Sequence, residues 1–232
     1  LLPPHMIAAL ARLQDNVGGF GFRHVDRAMR RDFGKPVSEL FAAFAVEPLA
    51  SASVAQVHRA TAHDGRALAV KVRRPGLLRV VRFDLALMRG FARVLALVPS
   101  IRLFAPVESV DEFARSILTQ IDLRNEAVNN RRFARNFAGD PDVRFPTLVD
   151  ELCSTDVLTM EFIDGAKLTA APSQLGVDGK RLARIGMRTL LKMIFADGFV
   201  HADLHPGNVL VERSGQVVII DLGFCAELAP SH

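Results

Sequence analysis

The 232-residue chain has no tryptophan and no tyrosine, and it has only two cysteines, Cys153 and Cys225. Two thiols far apart and in no metal-ligand spacing exclude a disulfide scaffold and a zinc module, and they fit a reducing compartment. The missing Trp and Tyr remove the stacking platforms that single-strand nucleic-acid binders use, and the Phe residues mostly sit in helix-like apolar patterns. Long apolar runs are lacking as well: Arg, Pro or Asp interrupts each within about a dozen residues, short of the roughly 18 that a membrane-spanning helix needs. The opening Leu1-Leu2-Pro3-Pro4 carries neither a charged leader nor a small-residue cleavage site, so no secretory signal is expected there.

What is present suffices for a real core. Half of the chain is apolar and the mean hydropathy is +0.21, which excludes intrinsic disorder. The length suits one large domain or two lobes. The net charge of +4 is unevenly placed: residues 1–104 hold 16 Lys or Arg against 7 acids, and residues 105–232 hold 13 against 18. One half is basic and the other acidic, so the balance by itself does not indicate nucleic acid, and no nucleic-acid partner is expected.

Apolar periodicity predicts short helices at Ile7–Leu13, Val25–Phe33 (closed by Gly34) and Ser38–Phe44. A hairpin follows, Ser53–His58 and Ala67–Val72 about a turn at His63-Asp64-Gly65, with Gln56 and His58 on an outward polar face. Long helices are expected from Pro75-Gly76 to about Val98, from about Asp111 to Phe137, and from about Asp178 to Ala196. On the first, Arg79, Arg82, Arg89 and Arg93 form one stripe, and Val80, Leu87, Phe91, Val94 and Leu95 lie opposite. Asp84 falls on the apolar side, where an unpaired buried carboxylate is costly, so it should either cap a helix start or pair with an Arg. Strands are expected at Val143–Leu148, Asp156–Ile163, Val209–Val211 and Val217–Ile220.

The densest polar cluster is His201-Ala202-Asp203-Leu204-His205-Pro206-Gly207-Asn208, with Asp221-Leu222-Gly223 closing the hairpin after it. A carboxylate, an amide five residues on, and a second carboxylate after a strand-turn-strand match what phosphoryl transfer needs. Asp203 would accept the proton of the attacking hydroxyl, and Asn208 and Asp221 would hold Mg²⁺ through hard oxygens. The spacing matches the D-x-x-x-x-N and D-F-G pattern of protein-kinase-like folds. On the strand Ala67–Val72, residues 69 and 71 share a face, so Ala69 could roof a purine while Lys71 reaches the phosphates. The run Val157–Phe162, with Glu161, Phe162 and Ile163 at its end, looks like the strand leading to a kinase hinge whose backbone pairs with adenine.

These segments together resemble the UbiB family of atypical kinase-like proteins, associated with ubiquinone biosynthesis. The carriers are Pro48–His58, Ala69-Val70-Lys71-Val72 with Pro75, Arg124-Asn125-Glu126-Ala127, His201–Asn208 and Asp221–Gly223. The resemblance implies an α+β, two-lobed protein-kinase-like fold: a helical extension at 1–46, an N-terminal lobe at 47–163, and a truncated C-terminal lobe at 164–232. It implies an Ala-rich nucleotide loop at Ala50, Ser51, Ala52 and Ser53, where a Cβ restricts positive φ and denies glycine's close approach. It also implies Lys71 paired with Glu126, and ATP or ADP held with Mg²⁺ at Asn208 and Asp221. His205 stands where protein kinases carry a lysine and would meet the γ-phosphate. The implied activity is ATP hydrolysis or phosphorylation of a small or lipid-like, isoprenoid target in a bacterial cytoplasm, with peripheral contact to the inner membrane. The family's upstream Lys-x-Gly-Gln segment is expected to precede Leu1.

Three readings compete with this one. Asp203, Asn208 and Asp221 could serve as turn and cap residues. His201, Asp203 and His205 could ligate a hydrolytic metal directly. The fold could also bind nucleotide as a regulatory module without turnover.

Overall fold

The computed structural model describes residues 18–228, so the helix expected at Ile7–Leu13 lies outside the described residues. The helices are α1 (Phe22–Phe33), α2 (Val37–Leu40), α3 (Leu77–Leu95), α4 (Pro99–Arg102), α5 (Pro106–Gln120), α6 (Leu123–Asn136), α7 (Ala171–Leu175) and α8 (Gly179–Leu191). The strands are β1 (Ala43–Phe44), β2 (Ala50–Ser51), β3 (Ala55–Thr61), β4 (Ala67–Arg73), β5 (Val143–Arg144), β6 (Val157–Glu161), β7 (Gly165–Lys167), β8 (Phe199–His201), β9 (Val209–Glu212), β10 (Val217–Ile219) and β11 (Cys225–Glu227).

The first sheet runs β1-β3-β4-β6, with β2 also on β3, and every pairing is antiparallel. Its centre is the expected hairpin, in register from Ala55↔Arg73 to Thr61↔Ala67. Alternation along β4 sends Leu68, Val70 and Val72 to one face, fully buried, and leaves Ala69, Lys71 and Arg73 on the other. The amphipathic α1 covers the first face with Val25 and Met29. Helix α6 covers the second, where Leu123 and Ala127 pack on Leu158 and Met160. That division puts Lys71 on the side of the sheet that α6 occupies.

The second sheet runs β5-β10-β9-β7, and β8 pairs with β11 beside it. Its core gathers Phe133, Phe145, Leu182, Met193, Phe199, Ile219 and Leu222, with Phe133 stacked on Phe145. Arg144 spans the two sheets by pairing with Glu161 at the end of β6 and with Glu212 on β9. Helix α8 is capped by Asp178, which accepts from the Lys180 N–H, and one π-helical turn, Lys192–Ala196, continues it.

Five local expectations are corrected. The Ser38–Phe44 segment is one turn of helix followed by strand β1, because Phe41 turns extended at φ −132° and buries its ring. The helix expected over 111–137 is two helices. The chain breaks at Ile121-Asp122, where the Asp122 carboxylate caps α6 by accepting from the Arg124 N–H at 3.0 Å. Gln56 and His58 are not outward: both are wholly buried, because residues 18–20 and Ala45 fold across them. The Gln56 amide accepts from the Phe20 N–H and donates to the Phe20 carbonyl and to His58 Nε2, and His58 Nδ1–H donates to the Ala45 carbonyl. Finally, α3 packs on α5 and buries Leu85 and Ala92, which leaves the expected apolar side outward. Phe83, Leu87, Phe91 and Val94 are each about 60% exposed. Asp84 lies in mid-helix and exposed, so it needs neither a cap role nor an arginine.

Candidate active site

Lys71, Glu126 and Asp221 converge. The Lys71 ammonium donates to both Glu126 carboxylate oxygens at 2.8 and 2.9 Å, and Asp221 Oδ2 lies 3.3 Å away. Glu126 is 3% exposed and Lys71 14%, whereas the Asp221 side chain is 44% exposed. Burial opposes the lysine's charge, but the Glu126 and Asp221 carboxylates outweigh it and hold the amine above its ordinary range. Burial also pushes the Glu126 carboxyl up, and Lys71 pulls against that shift without cancelling it. Asp221 is held below the usual carboxylate range: burial works against this, but Lys71 and the Gly223 N–H prevail.

Local sequence explains the placement. Glu126 sits in the first turn of α6, which Asp122 caps, so the break at Ile121-Asp122 aims the acid at β4. One turn further on the same face, Asn129 donates to the Leu222 carbonyl at 2.9 Å, and the Leu222 N–H approaches Glu126 Oε1 at 3.5 Å. Sequence reasoning missed Asn129; its three-residue spacing from Glu126 was the available signal.

Asp203 and Asn208 occupy the loop between β8 and β9. His201 Nε2–H donates to the Asp221 carbonyl at 2.5 Å, and its Nδ1 accepts from the Asp203 N–H at 3.1 Å. The buried imidazole therefore joins the Asp203 loop to the Asp221 strand end, with both nitrogens engaged. The Asn208 amide donates to the Asp203 carbonyl at 3.4 Å and so turns its own carbonyl oxygen away from that contact. His205 Nδ1 accepts from the Gly207 N–H, which caps the turn Pro206–Asn208. Among the described residues, no three His, Cys, Asp or Glu side chains form a metal-ligating group, and His201 has no free nitrogen for the hydrolase reading. Asn208 and Asp221 offer an amide oxygen and a carboxylate, the hard donors that fit Mg²⁺.

The remaining expected nucleotide contacts lie on the same sheet. Ala50 and Ser51 form β2 against β3, and Arg74 holds this loop by donating to the Ala52 carbonyl at 2.9 Å and to Ser51 Oγ at 3.0 Å. None of Ala50, Ser51, Ala52 or Ser53 has positive φ, so the loop runs without the left-handed turns that glycines would allow. Ala69 packs beside Leu158 and Met160 on the Lys71 side of the sheet. At the end of β6, the Glu161 side chain is taken by Arg144 and the Thr147 N–H, and the Phe162 N–H donates to the Ala67 carbonyl. The Ile163 N–H has no hydrogen-bond partner among the described residues.

Residues 12–232 match the family model described as the ABC1 atypical kinase-like domain. The chain is 39% identical to a "Probable protein kinase UbiB" of Marinobacter nauticus and 39% identical to one of Pseudomonas fluorescens, over 99% of its own length in each case. It spans 43% and 44% of those relatives. Among solved structures it resembles Rv3197 of Mycobacterium tuberculosis, solved in complex with erythromycin, with TM-score 0.69 and 29% identity over 97% of this chain and 56% of that one. The Rio2 kinase of Chaetomium thermophilum, solved with ADP/Mg²⁺ and phosphoaspartate, superimposes at TM-score 0.50 and 11% identity over 96% of this chain and 62% of that one, a likeness of fold.

Proposed function

The chain belongs to the ABC1 atypical kinase-like family of the UbiB proteins, and from that premise we propose that it binds ATP or ADP with Mg²⁺ and cleaves or transfers the γ-phosphate. The observation that carries this reading is the convergence of Lys71, Glu126 and Asp221, with Asn208 and Asp203 on the adjoining loop. Lys71 would clamp the phosphates and be kept in place by Glu126. Asn208 and Asp221 would hold Mg²⁺, which supplies charge neutralisation on the phosphate oxygens. Adenine would lie against Ala69 with its edge toward the free Ile163 N–H, under the loop Ala50–Ser53. Asp203, exposed at the loop, would orient the acceptor hydroxyl or water and take its proton. The acceptor would be a small or lipid-like molecule of ubiquinone or related isoprenoid metabolism, as the relatives' name suggests.

A peripheral membrane contact is part of the proposal, carried by the outward apolar row of α3 together with the arginine stripe of the same helix. Among the described residues, no helix is long and apolar enough to cross a membrane.

A second reading, nucleotide binding without turnover, is favoured by one observation: the Asp203 carboxylate accepts no hydrogen bond among the described residues that would fix its direction. Phosphate release from ATP under single-turnover conditions separates the two readings. An enzyme releases phosphate, and Asp203→Asn slows it about 10²-fold or more while nucleotide affinity stays within about twofold. A wild-type chain that binds ATP and releases none is the regulatory module.

A further inference from the structure

Away from the Lys71 site, a concavity of about 520 Å³ opens between α1, the end of β4 and the first turns of α3. It shares no residue with the proposed nucleotide or metal contacts. Its volume is within the range of roughly 300–1,000 Å³ typical of small-molecule sites. Its walls carry six arginines and His24 against one carboxylate, Asp156.

The arginines divide into two groups. Arg31 and Arg73 both pair with Asp156, and Arg73 also donates to the Ile121 carbonyl, so its guanidinium is fixed and only 9% exposed. Arg74 is held by the Ala52 and Gly18 carbonyls. The side chains of Arg27, Arg79 and Arg82, by contrast, make no hydrogen bond or ion pair among the described residues, and all three residues are exposed at the cleft. Lone surface arginines are ordinarily just solvated. Here unpaired guanidinium groups from α1 and α3 converge on one cavity, and a concave wall concentrates that field. Planar guanidinium forks arriving from different directions suit the several oxygens of a phosphate group better than a single carboxylate. The uncapped start of the 19-residue α3, at Gly76, opens into the same cleft and adds to the positive field.

We propose that this cleft is a second site that binds a phosphate-bearing anion, either a free diphosphate-like group or the headgroup of an anionic phospholipid. It stands independently of the nucleotide reading.

The test uses the Lys71→Met/Glu126→Leu background, in which the other phosphate site is disabled. Inorganic pyrophosphate is titrated calorimetrically at low salt, with and without Arg27→Gln/Arg79→Gln/Arg82→Gln. The expected result is measurable binding that weakens at least tenfold in the triple variant. A control variant that neutralises Arg115, Arg135 and Arg213 elsewhere on the surface should leave the binding within about twofold. Sedimentation with phosphatidylglycerol and phosphatidylcholine vesicles then identifies the source. Loss of phosphatidylglycerol binding in the triple variant assigns the cleft to the headgroup, and unchanged vesicle binding assigns it to the free anion. Pyrophosphate affinity unaffected by the triple variant, or lowered equally by the control, overturns the proposal.

Discussion

Lys71 and Glu126 form a buried, two-pronged ion pair across the gap between strand β4 and helix α6, with both carboxylate oxygens within 2.9 Å of the ammonium. Removing one partner of such a pair leaves the other charged and poorly solvated. Glu126→Ala should therefore cost about 3 kcal/mol of stability in urea unfolding. Lys71→Met/Glu126→Leu, which replaces both charges with apolar groups of similar size, should cost less than that single change and still abolish nucleotide binding. A double variant less stable than Glu126→Ala would show that the pair holds the fold together rather than serving the site.

Cys225 gives a pH-dependent signature. Burial, with the nearby Glu126 and Asp221 carboxylates, pushes its thiol from an ordinary 9.0 up to about 12. Between those values the unfolded chain gives up a proton that the folded chain keeps, so this group's contribution to stability falls as pH rises from about 9 to 12. At pH 8, iodoacetamide should label Cys225 on the order of a hundredfold more slowly in the folded chain than in urea, read peptide by peptide by mass spectrometry. Equal rates would contradict the packing of Cys225 against the core of the second sheet.

The apolar row on α3 makes its own prediction. Phe83→Ser/Leu87→Ser/Phe91→Ser should reduce binding to anionic vesicles while leaving urea stability within about 1 kcal/mol, because these side chains are already in water. A large loss of stability would mean that the row packs inside the protein.

Much of the candidate site's geometry was legible in the sequence because its parts are set by short spacings. Asp203, Asn208 and Asp221 lie on one loop-hairpin unit, and strand alternation alone puts Ala69 and Lys71 on a common face. What remained hidden depends on contacts distant in sequence. Gln56 and His58 read as an outward polar face because nothing local reveals that Phe20 and Ala45 lie over them. Helix α3 shows the converse error: periodicity identified an apolar side, but not that the helix would pack on α5 with Leu85 and Ala92 buried instead. The break between α5 and α6 carried a local signal, an Asp at the cap position, overridden in the reading by a continuous apolar period across 111–137.

The central claim is that Lys71 and Asp221 belong to one phosphate- and Mg²⁺-binding site. Calorimetric titration of Mg-ATP into the wild-type chain, Lys71→Ala and Asp221→Asn tests it most directly. The account predicts that each substitution weakens Mg-ATP binding at least tenfold, and that omitting Mg²⁺ weakens wild-type binding but changes little in Asp221→Asn. Wild-type affinity in both variants would contradict it.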